Sequence, residues 1–193
     1  MLYEIIFYGR GGQGGVTAAN LLVYAAMYKG LHAQGFPFFG AERRGAPVTA
    51  FARVSDKPIL RHGMFDSADI LLVLDWRLSK LGILKNITIR DGGLVIINAP
   101  RDYNIVLSDY RLTGHALFYR VDATKIAVDN GLIVAGWPVV NTGMLGAFAK
   151  ATNIVDLDHV TKAIKTYFKG KISEINAKAA ETAYRQTELI KEV

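Results

Sequence analysis

The residues best suited to bind an anion stand at positions 9–14, where the sequence Gly-Arg-Gly-Gly-Gln-Gly fits the pattern G-x-G-x-x-G. Glycine allows a tight turn and lets the backbone approach a phosphate group closely. The pattern follows a strand-like run and precedes a helix-like one, so the positive end of the helix would face the bound group. A glycine turn that only packs a helix against a sheet is the alternative. The predicted phosphate-binding residues are Gly9, Gly11, Gly12, Gln13 and Gly14.

A second candidate is the adjacent pair Arg43 and Arg44, which lies in the irregular segment 37–47 and is followed by Gly45. Two neighbouring guanidinium groups between glycines can fork onto phosphate oxygens. Aromatic residues in the same segment would then line an adenine pocket. In the alternative interpretation, Glu42 pairs with one arginine and the aromatic residues belong to the core.

The elements that must position these groups alternate between strands and helices. Apolar runs and alternating patterns predict strands over 2–8, 31–36, 47–54, 68–75, 93–98 and 116–121. Helical spacing predicts helices over 16–29, 77–84, 123–130, 141–151, 156–168 and 173–191. This alternation favours a single α/β domain over 1–193, a three-layer α/β/α arrangement with a Rossmann-like, mostly parallel or mixed sheet and C-terminal helices over about 156–191. The last helix has a thin apolar stripe, typical of a helix on the surface or against a partner.

Composition limits the chemistry that this chain can perform. Its 193 residues include no cysteine, so it supplies no thiolate for an iron–sulfur cluster or a zinc site. Its four histidines show no metal-ligand spacing, and we expect no metal site. The sequence contains neither an apolar run of roughly 20 residues nor a cleavable signal, so we expect a cytoplasmic protein without a membrane partner. A formal charge of +6 suits nucleic acid, a phosphorylated ligand or an acidic partner protein.

Several motifs together resemble the gamma subunit of pyruvate and related 2-oxoacid:ferredoxin oxidoreductases. They are the glycine pattern at 9–14, the string 34–48 ending in Glu-Arg-Arg-Gly-Ala-Pro-Val, and Asn-Thr-Gly-Met-Leu-Gly-Ala at 141–147. The family is also matched by Asp-Lys-Pro-Ile at 56–59, by the spacing of Asp69 and Asp75, and by Asn98. The resemblance covers residues 1–170. Gly15 departs from it, because many relatives carry a larger residue there.

This resemblance implies a function in anaerobic metabolism. Enzymes of the family convert a 2-oxoacid, coenzyme A and oxidised ferredoxin into acyl-CoA, CO2 and reduced ferredoxin. The chain would be a non-redox subunit of a pyruvate synthase-type oxidoreductase, contributing to CoA binding and complex assembly without catalytic residues. Alpha-, beta- and delta-type partner subunits would hold thiamine diphosphate and the iron–sulfur clusters, and ferredoxin would bind through this hetero-oligomer. The arginine pair favours a pyruvate-type member.

The resemblance also implies how the site works. A CoA phosphate would lie on the N–H groups around Gly11–Gly14, and Arg43 and Arg44 would neutralise its diphosphate or 3′-phosphate. Gly45 and Asn141 complete the expected cofactor-binding set. Asn141 stands at the predicted start of a helix, where it suits a cap as well as a ligand contact.

Two other functions stay open at this stage. A stand-alone NADP-binding Rossmann reductase is one, since Arg43 or Arg44 would suit the 2′-phosphate, although we find no substrate domain or catalytic acid. NAD itself would require an acidic residue where the sequence has His32–Phe36. The other is a basic, non-catalytic binding module, for example for nucleic acid. Interleaved acidic and basic residues argue against that module, and we expect no nucleic-acid partner.

Overall fold

The framework of the protein is a mixed β-sheet, seen in a computed structural model that describes residues 1–37 and 45–193. The elements are β1 (Leu2–Arg10), α1 (Gly15–Tyr28), β2 (His32–Pro37), β3 (Pro47–Ser55), β4 (Ser67–Val73), β5 (Thr88–Asn98), β6 (Arg111–Leu112), β7 (Ala116–Val121), α2 (Ala123–Asp129), β8 (Ile133–Val134), β9 (Trp137–Pro138), α3 (Asn141–Thr152), α4 (Leu157–Tyr167), α5 (Gly170–Gln186) and β10 (Glu188–Glu192). Strands β8 and β9 form a separate hairpin. The strand over 116–121 matches its sequence prediction at both ends.

The sheet has the strand order β10-β7-β5-β4-β1-β3-β2, with β6 beside β5. Its centre, β7-β5-β4-β1, is parallel. The outer pairs β1–β3, β2–β3 and β7–β10 are antiparallel, so the mostly parallel or mixed sheet that we predicted is confirmed. The chain leaves β1 towards one side of the sheet and later continues from β4 towards the other. The carboxyl ends of β1 and β4 therefore flank a switch point, where open α/β sheets bind ligands.

Helices cover both faces of the sheet, which confirms the three-layer arrangement. On one face, residues such as Ile5 pack against helices α1 to α5 and form the larger core. On the other face, residues such as Ile6 form a second core, covered by 3-10 helices at Trp76–Leu81 and Ile83–Asn86. The short helix predicted over 77–84 is divided into two 3-10 helices, which Gly82 (φ +69°) separates.

The C-terminal segment differs from its sequence prediction. The helix predicted over 173–191 begins earlier, at Gly170, and ends at Gln186. Glu188–Glu192 instead forms an edge strand that pairs antiparallel with β7. Ile190 continues the helical spacing of the preceding residues, so the local pattern gave no sign of this long-range pairing.

Helix α5 packs against α3 through small residues rather than through a large apolar stripe. Ala177, Ala180 and Ala183 are buried, whereas Ile172, near the start of α5, is exposed. A Cβ atom at Gly146 of α3 would overlap the carbonyl oxygen of Ala180, so the two backbones are in direct contact. This contact fixes the position of α3 beside α5.

Candidate functional site

A cavity of about 470 Å³ lies on the α-helical side of the switch point. One wall is formed by residues of the segment 9–14, which we call the glycine loop, and by the first turn of α1. The start of α3 forms the floor. The opposite wall comes from the β8–β9 hairpin and the connection between α4 and α5. Among the described residues, no carboxylate lines the cavity. Its volume is in the range of small-molecule sites.

Hydrogen bonds between its own residues stabilise the conformation of the glycine loop. The Arg10 N–H donates to Oε1 of Gln13 (2.8 Å), and the Gln13 N–H donates to the Arg10 carbonyl oxygen (3.1 Å). A Cβ atom at Gly9 would lie 3.0 Å from Cβ of Leu74. Gly9 and buried Gln13 therefore shape the turn and do not line the cavity.

The first turn of α1 presents backbone N–H groups to the cavity. The first hydrogen bond within this helix runs from the Ala18 N–H to the Gly14 carbonyl oxygen (2.8 Å). The N–H groups of Gly15, Val16 and Thr17 thus have no acceptor within the helix, and no side chain caps them. The Gly11 N–H, by contrast, already donates to the Ala46 carbonyl oxygen (2.9 Å). The donors for an anion therefore extend into α1, beyond the loop that the sequence indicated.

Asn141 combines the two roles that the sequence left open. Its Oδ1 accepts a hydrogen bond from the Thr142 N–H (2.7 Å) and so stabilises the start of α3. Its Nδ2 has no acceptor among the described residues, although the residue is only 2% exposed. A Cβ atom at Gly14 would lie 2.7 Å from this nitrogen, and Gly14 has φ +84°, so glycine is required there. An amide donor at a cavity, without an acceptor among the described residues, is available to a hydrogen-bond acceptor of a ligand.

Arg10, to which the sequence assigned no role, connects three segments. Its Nε donates to Oδ2 of Asp75 (2.8 Å), and its Nη1 donates to the Gly45 carbonyl oxygen (3.1 Å). Asp75 is buried after β4, and its Oδ1 accepts from the Arg77 N–H (3.0 Å). The Gly45 N–H donates to the Gly11 carbonyl oxygen (3.1 Å). The glycine loop, the end of β4 and the end of the segment 37–47, which we call the arginine segment, are thus joined by hydrogen bonds.

The structure brings part of the predicted site together. Four of its residues line the cavity, namely Gly11, Gly12, Gly14 and Asn141. Gly45 contacts the glycine loop and lies close to the Trp137 ring. Arg43 and Arg44 lie outside the described residues.

The opposite wall was not predicted from the sequence. Its residues are Ile133, Val134, Tyr167, Phe168, Ile172 and Asn176. Asn176 links two helices, because its Oδ1 accepts from Thr142 Oγ1 (3.0 Å) and its Nδ2 donates to the Ile172 carbonyl oxygen (2.8 Å). These residues lie far from the glycine loop in sequence and carry no motif. The one local signal is Ala135-Gly136 between two short apolar pairs, which is a two-residue hairpin turn.

Other residues that carry the family resemblance have structural roles. Asn98 Oδ1 accepts from the Thr124 N–H (3.0 Å), and its Nδ2 donates to the Leu74 carbonyl oxygen (2.7 Å). Asp69 accepts from the Glu4 N–H (2.7 Å). In the ranges that the structure covers, no helix is long and apolar enough to cross a bilayer, and no cluster of His, Asp or Glu side chains could hold a metal ion.

The topology argues against a dinucleotide site at the glycine loop. In a dinucleotide fold, the second strand lies beside the first and brings the ribose-binding residue next to the loop. Here β3 pairs with β1 along its whole length, and β2 pairs with β3. The end of β2 is therefore two strands away from the glycine loop.

Comparison with known proteins gives a consistent result. A family model described as pyruvate ferredoxin/flavodoxin oxidoreductase matches residues 4–186. The common gamma subunit of the pyruvate/ketoisovalerate oxidoreductases of Thermococcus kodakarensis is 47% identical over 186 residues, which cover 96% of this chain and 97% of the relative. The crystal structure of pyruvate oxidoreductase subunit PORC from Thermotoga maritima matches with a TM-score of 0.80 and 30% identity, over 98% of this chain and 99% of that one.

A larger enzyme contains the same fold. The 2-oxoglutarate:ferredoxin oxidoreductase of Magnetococcus marinus, solved with 2-oxoglutarate, coenzyme A and succinyl-CoA bound, matches with a TM-score of 0.74 and 17% identity. The match covers 96% of this chain and 31% of that one, and at this identity it shows the fold alone. The closer matches establish the family: this chain belongs to the pyruvate ferredoxin/flavodoxin oxidoreductase family and is a gamma-type subunit of a 2-oxoacid:ferredoxin oxidoreductase.

Proposed function

We propose that this subunit holds coenzyme A in the cavity while partner subunits perform the carbon and redox chemistry. One observation carries the proposal: backbone donors of α1 and the Nδ2 of Asn141, which has no acceptor among the described residues, converge on a cavity whose described lining contains no carboxylate. Donors of this kind, at the positive end of a helix, favour an anionic group such as a phosphate.

In this proposal, the phosphate end of CoA binds at the first turn of α1. The N–H groups of Gly15, Val16 and Thr17 would donate to phosphate oxygens there. Arg43 and Arg44 are proposed to neutralise the diphosphate or the 3′-phosphate. The hydrogen bonds of Gly45 to Arg10 and to the glycine loop place the end of the arginine segment beside the same cavity.

The remainder of the cavity suits the less polar part of the ligand. Val48, Val139 and Phe168 line it, so it offers an apolar surface to the pantetheine arm. CoA supplies the thiol that takes up the acyl group. The subunit's contribution is positioning, because the thiol must reach a reaction centre that this chain does not contain.

The partner subunits are proposed to be of alpha, beta and delta type, and to hold thiamine diphosphate and iron–sulfur clusters in a cytoplasmic complex. The absence of cysteine supports placing the clusters elsewhere. Pyruvate is the proposed 2-oxoacid. The Thermococcus relative is common to a pyruvate and a ketoisovalerate enzyme, which supports assigning substrate choice to the other subunits.

The proposal is tested by Arg43→Ala/Arg44→Ala and, separately, by Asn141→Asp in the assembled enzyme. Asn141→Asp keeps the oxygen that stabilises α3 but replaces the free donor with a negative oxygen. We expect each variant to raise KM for CoA about tenfold or more, because charge-assisted hydrogen bonds contribute about 1.5–3 kcal/mol. Release of CO2 from the 2-oxoacid in a single turnover without CoA should be unchanged.

A matched control is Arg101→Ala/Arg111→Ala, which removes two exposed arginines that do not line the cavity. It should leave KM for CoA unchanged. If the Arg43→Ala/Arg44→Ala and Asn141→Asp enzymes both keep the wild-type CoA dependence, the cavity is not the CoA site.

A further inference from the structure

A second cavity, of about 620 Å³, lies at the carboxyl ends of β5 and β7. We call it the basic cavity, and it is lined by residues from the segments 99–101, 120–125 and 185–188. The first segment follows β5, the second spans the end of β7 and the start of α2, and the third joins α5 to β10. None of these residues lines the cavity beside the glycine loop, so the two cavities have separate linings.

The basic cavity lies at a second switch point of the sheet. Strands β5 and β7 are parallel neighbours. After β5 the chain passes to the face of the second core, where Tyr103 and Leu107 pack. After β7 it passes to the opposite face, where Ala123 and Ile126 belong to the larger core. Because open α/β sheets bind ligands in the crevice outside the carboxyl ends of two such strands, the topology favours a ligand here as it does at the glycine loop.

The lining of the basic cavity carries positive charge that the protein does not neutralise. Its charged residues are Arg101, Arg120, Lys125 and Arg185 with Asp122 and Glu188. Both carboxylates are engaged, since Glu188 pairs with Arg120 and Oδ1 of Asp122 accepts from the Lys125 N–H (2.8 Å). The Lys125 ammonium pairs with Asp129 on the surface of α2 (2.9 Å). Exposed Arg101 and Arg185 have no ion-pair partner among the described residues, so their charges are available to an anion.

Arg120 fixes the shape of the basic cavity. Its side chain is only 13% exposed. Its Nη1 donates to the carbonyl oxygen of Arg101, and its Nη2 donates to a carboxylate oxygen of Glu188. These bonds join the segment after β5 to the start of β10. Because the backbone of Arg101 is held in this way, its guanidinium group extends from a fixed point, which lowers the entropy cost of binding a ligand.

We propose that the basic cavity binds a small phosphorylated ligand through Arg101 and Arg185, with Lys125 as a third cation. Planar guanidinium groups match the geometry of phosphate oxygens and donate charge-assisted hydrogen bonds to them. The described lining contains no aromatic ring, so recognition rests on the phosphate group and not on stacking of a base. This site is distinct from the proposed CoA site and does not depend on it.

The first test is a calorimetric titration of the full chain with inorganic pyrophosphate at constant ionic strength. The chain carries Asn141→Asp, which disfavours an anion in the cavity beside the glycine loop. Adding Arg101→Ala/Arg185→Ala should weaken pyrophosphate binding about tenfold or more, because two charge-assisted contacts are lost.

Arg61→Ala/Arg111→Ala on the same background is the matched control, since it removes two exposed arginines that line neither cavity. It should bind within about twofold of the parent chain, because distant exposed charges are screened. Equal affinities of the two double variants, or no binding of pyrophosphate by the parent chain, would overturn the proposal.

The second test locates the ligand in the wild-type chain and so does not depend on a variant that folds. Pyrophosphate is titrated while the backbone amides are followed in ¹H–¹⁵N spectra. Saturable shifts are expected at Val121, Asp122 and Thr187, which line the basic cavity. Shifts confined to Gly15–Thr17 would show that only the cavity beside the glycine loop binds the anion, and shifts that do not saturate would show unspecific attraction. Either result contradicts the second site.

The assembled enzyme separates this proposal from that of the CoA site. Arg101→Ala/Arg185→Ala should leave KM for CoA unchanged while it weakens pyrophosphate binding by the complex. A raised KM for CoA would mean that these arginines belong to the CoA site, and the separate site would be wrong. If the isolated chain binds pyrophosphate but the complex does not, the arginines serve a partner surface and the ligand site fails. An unchanged CoA dependence of Arg43→Ala/Arg44→Ala and Asn141→Asp would reject the CoA site alone.

Discussion

Polar groups at the two ends of the parallel strands differ in how their hydrogen bonds are satisfied. We call the side where these strands end the carboxyl edge, and the side where they begin the amino edge. At the carboxyl edge, N–H groups of α1 and the amide of Asn141 are left without protein acceptors in the described structure. At the amino edge, Glu4, Asp69, Arg53 and Arg90 satisfy one another in a network of ion pairs. The carboxyl edge leaves donors without acceptors among the described residues and the amino edge pairs its charges, so burial of polar groups alone does not identify a site. What distinguishes the proposed site is that donors without a protein acceptor among the described residues converge on a cavity.

The amino-edge network is compact and largely enclosed. Glu4 Oε1 accepts from Arg53 Nε (2.8 Å), and Asp69 Oδ2 accepts from Arg90 Nη1 (3.0 Å). Arg53 also lies 4.7 Å from the centre of the Phe65 ring. Burial alone would raise the pKa of Glu4, but the hydrogen bonds and charges of Arg90 and Arg53 hold that pKa below its ordinary value of 4.5.

Among the substitutions that test this comparison, Glu4→Gln should have the largest effect on the free energy of unfolding. The substitution leaves Arg53, which is 3% exposed, without its carboxylate, and removal of one partner from a buried ion pair costs about 3–5 kcal/mol. The free energy of unfolding, measured in urea, should fall by about 3 kcal/mol. The control Glu188→Gln removes a half-exposed carboxylate that pairs with Arg120 and should cost less than about 1 kcal/mol. Equal effects of the two substitutions would show that the amino edge is not a stabilising network.

The next largest effect tests whether the carboxyl edge depends on the contact between α3 and α5. Gly146→Ala should lower the free energy of unfolding by about 1–3 kcal/mol, because its Cβ meets the Ala180 backbone. Gly143→Ala is a matched control in the same helix, where the nearest atom would lie 3.4 Å away, on Ala123. The control should be neutral or stabilising by up to about 1 kcal/mol, since alanine favours helix. Comparable losses in both variants would mean that the helix contact is not close.

A smaller effect on stability, with a specific effect on KM for CoA, is expected for Gly14→Ala in the glycine loop. Gly14 and Gly30 have similar left-handed conformations at the two ends of α1, with φ +84° and +81°. An alanine Cβ at Gly14 would press on Nδ2 of Asn141, whereas nothing lies within 4 Å of one at Gly30. Both substitutions should destabilise the fold by about 1–2 kcal/mol, but only Gly14→Ala should raise KM for CoA, by about tenfold. A rise in both variants would trace the effect to α1 rather than to the site.

The comparison of edges also explains what the sequence could predict. The parallel strands were predictable because each is a short apolar run, and the glycine loop because it stands between such a strand and a helix. The position of Asn141 Nδ2 beside the glycine loop was not predictable, since it depends on where α3 meets Gly14. Nor was β10, because its pairing with β7 joins residues far apart in sequence and overrides a helical pattern around Ile190. Local patterns indicate elements, while satisfaction of polar groups depends on how distant elements meet.

The smallest expected effect is the pH dependence of the amino edge. Because the pKa of Glu4 is lower in the folded state, its ion pairs contribute their full stability above the ordinary pKa of 4.5. This contribution is lost as the pH falls towards and through the lowered folded-state value. The difference in unfolding free energy between wild type and Glu4→Gln should therefore be constant near neutral pH and shrink as the pH falls below 4.5. A difference that stays constant across the acid range would show that the substitution acts through packing. The ion pairs of the amino edge would then contribute no measurable stability.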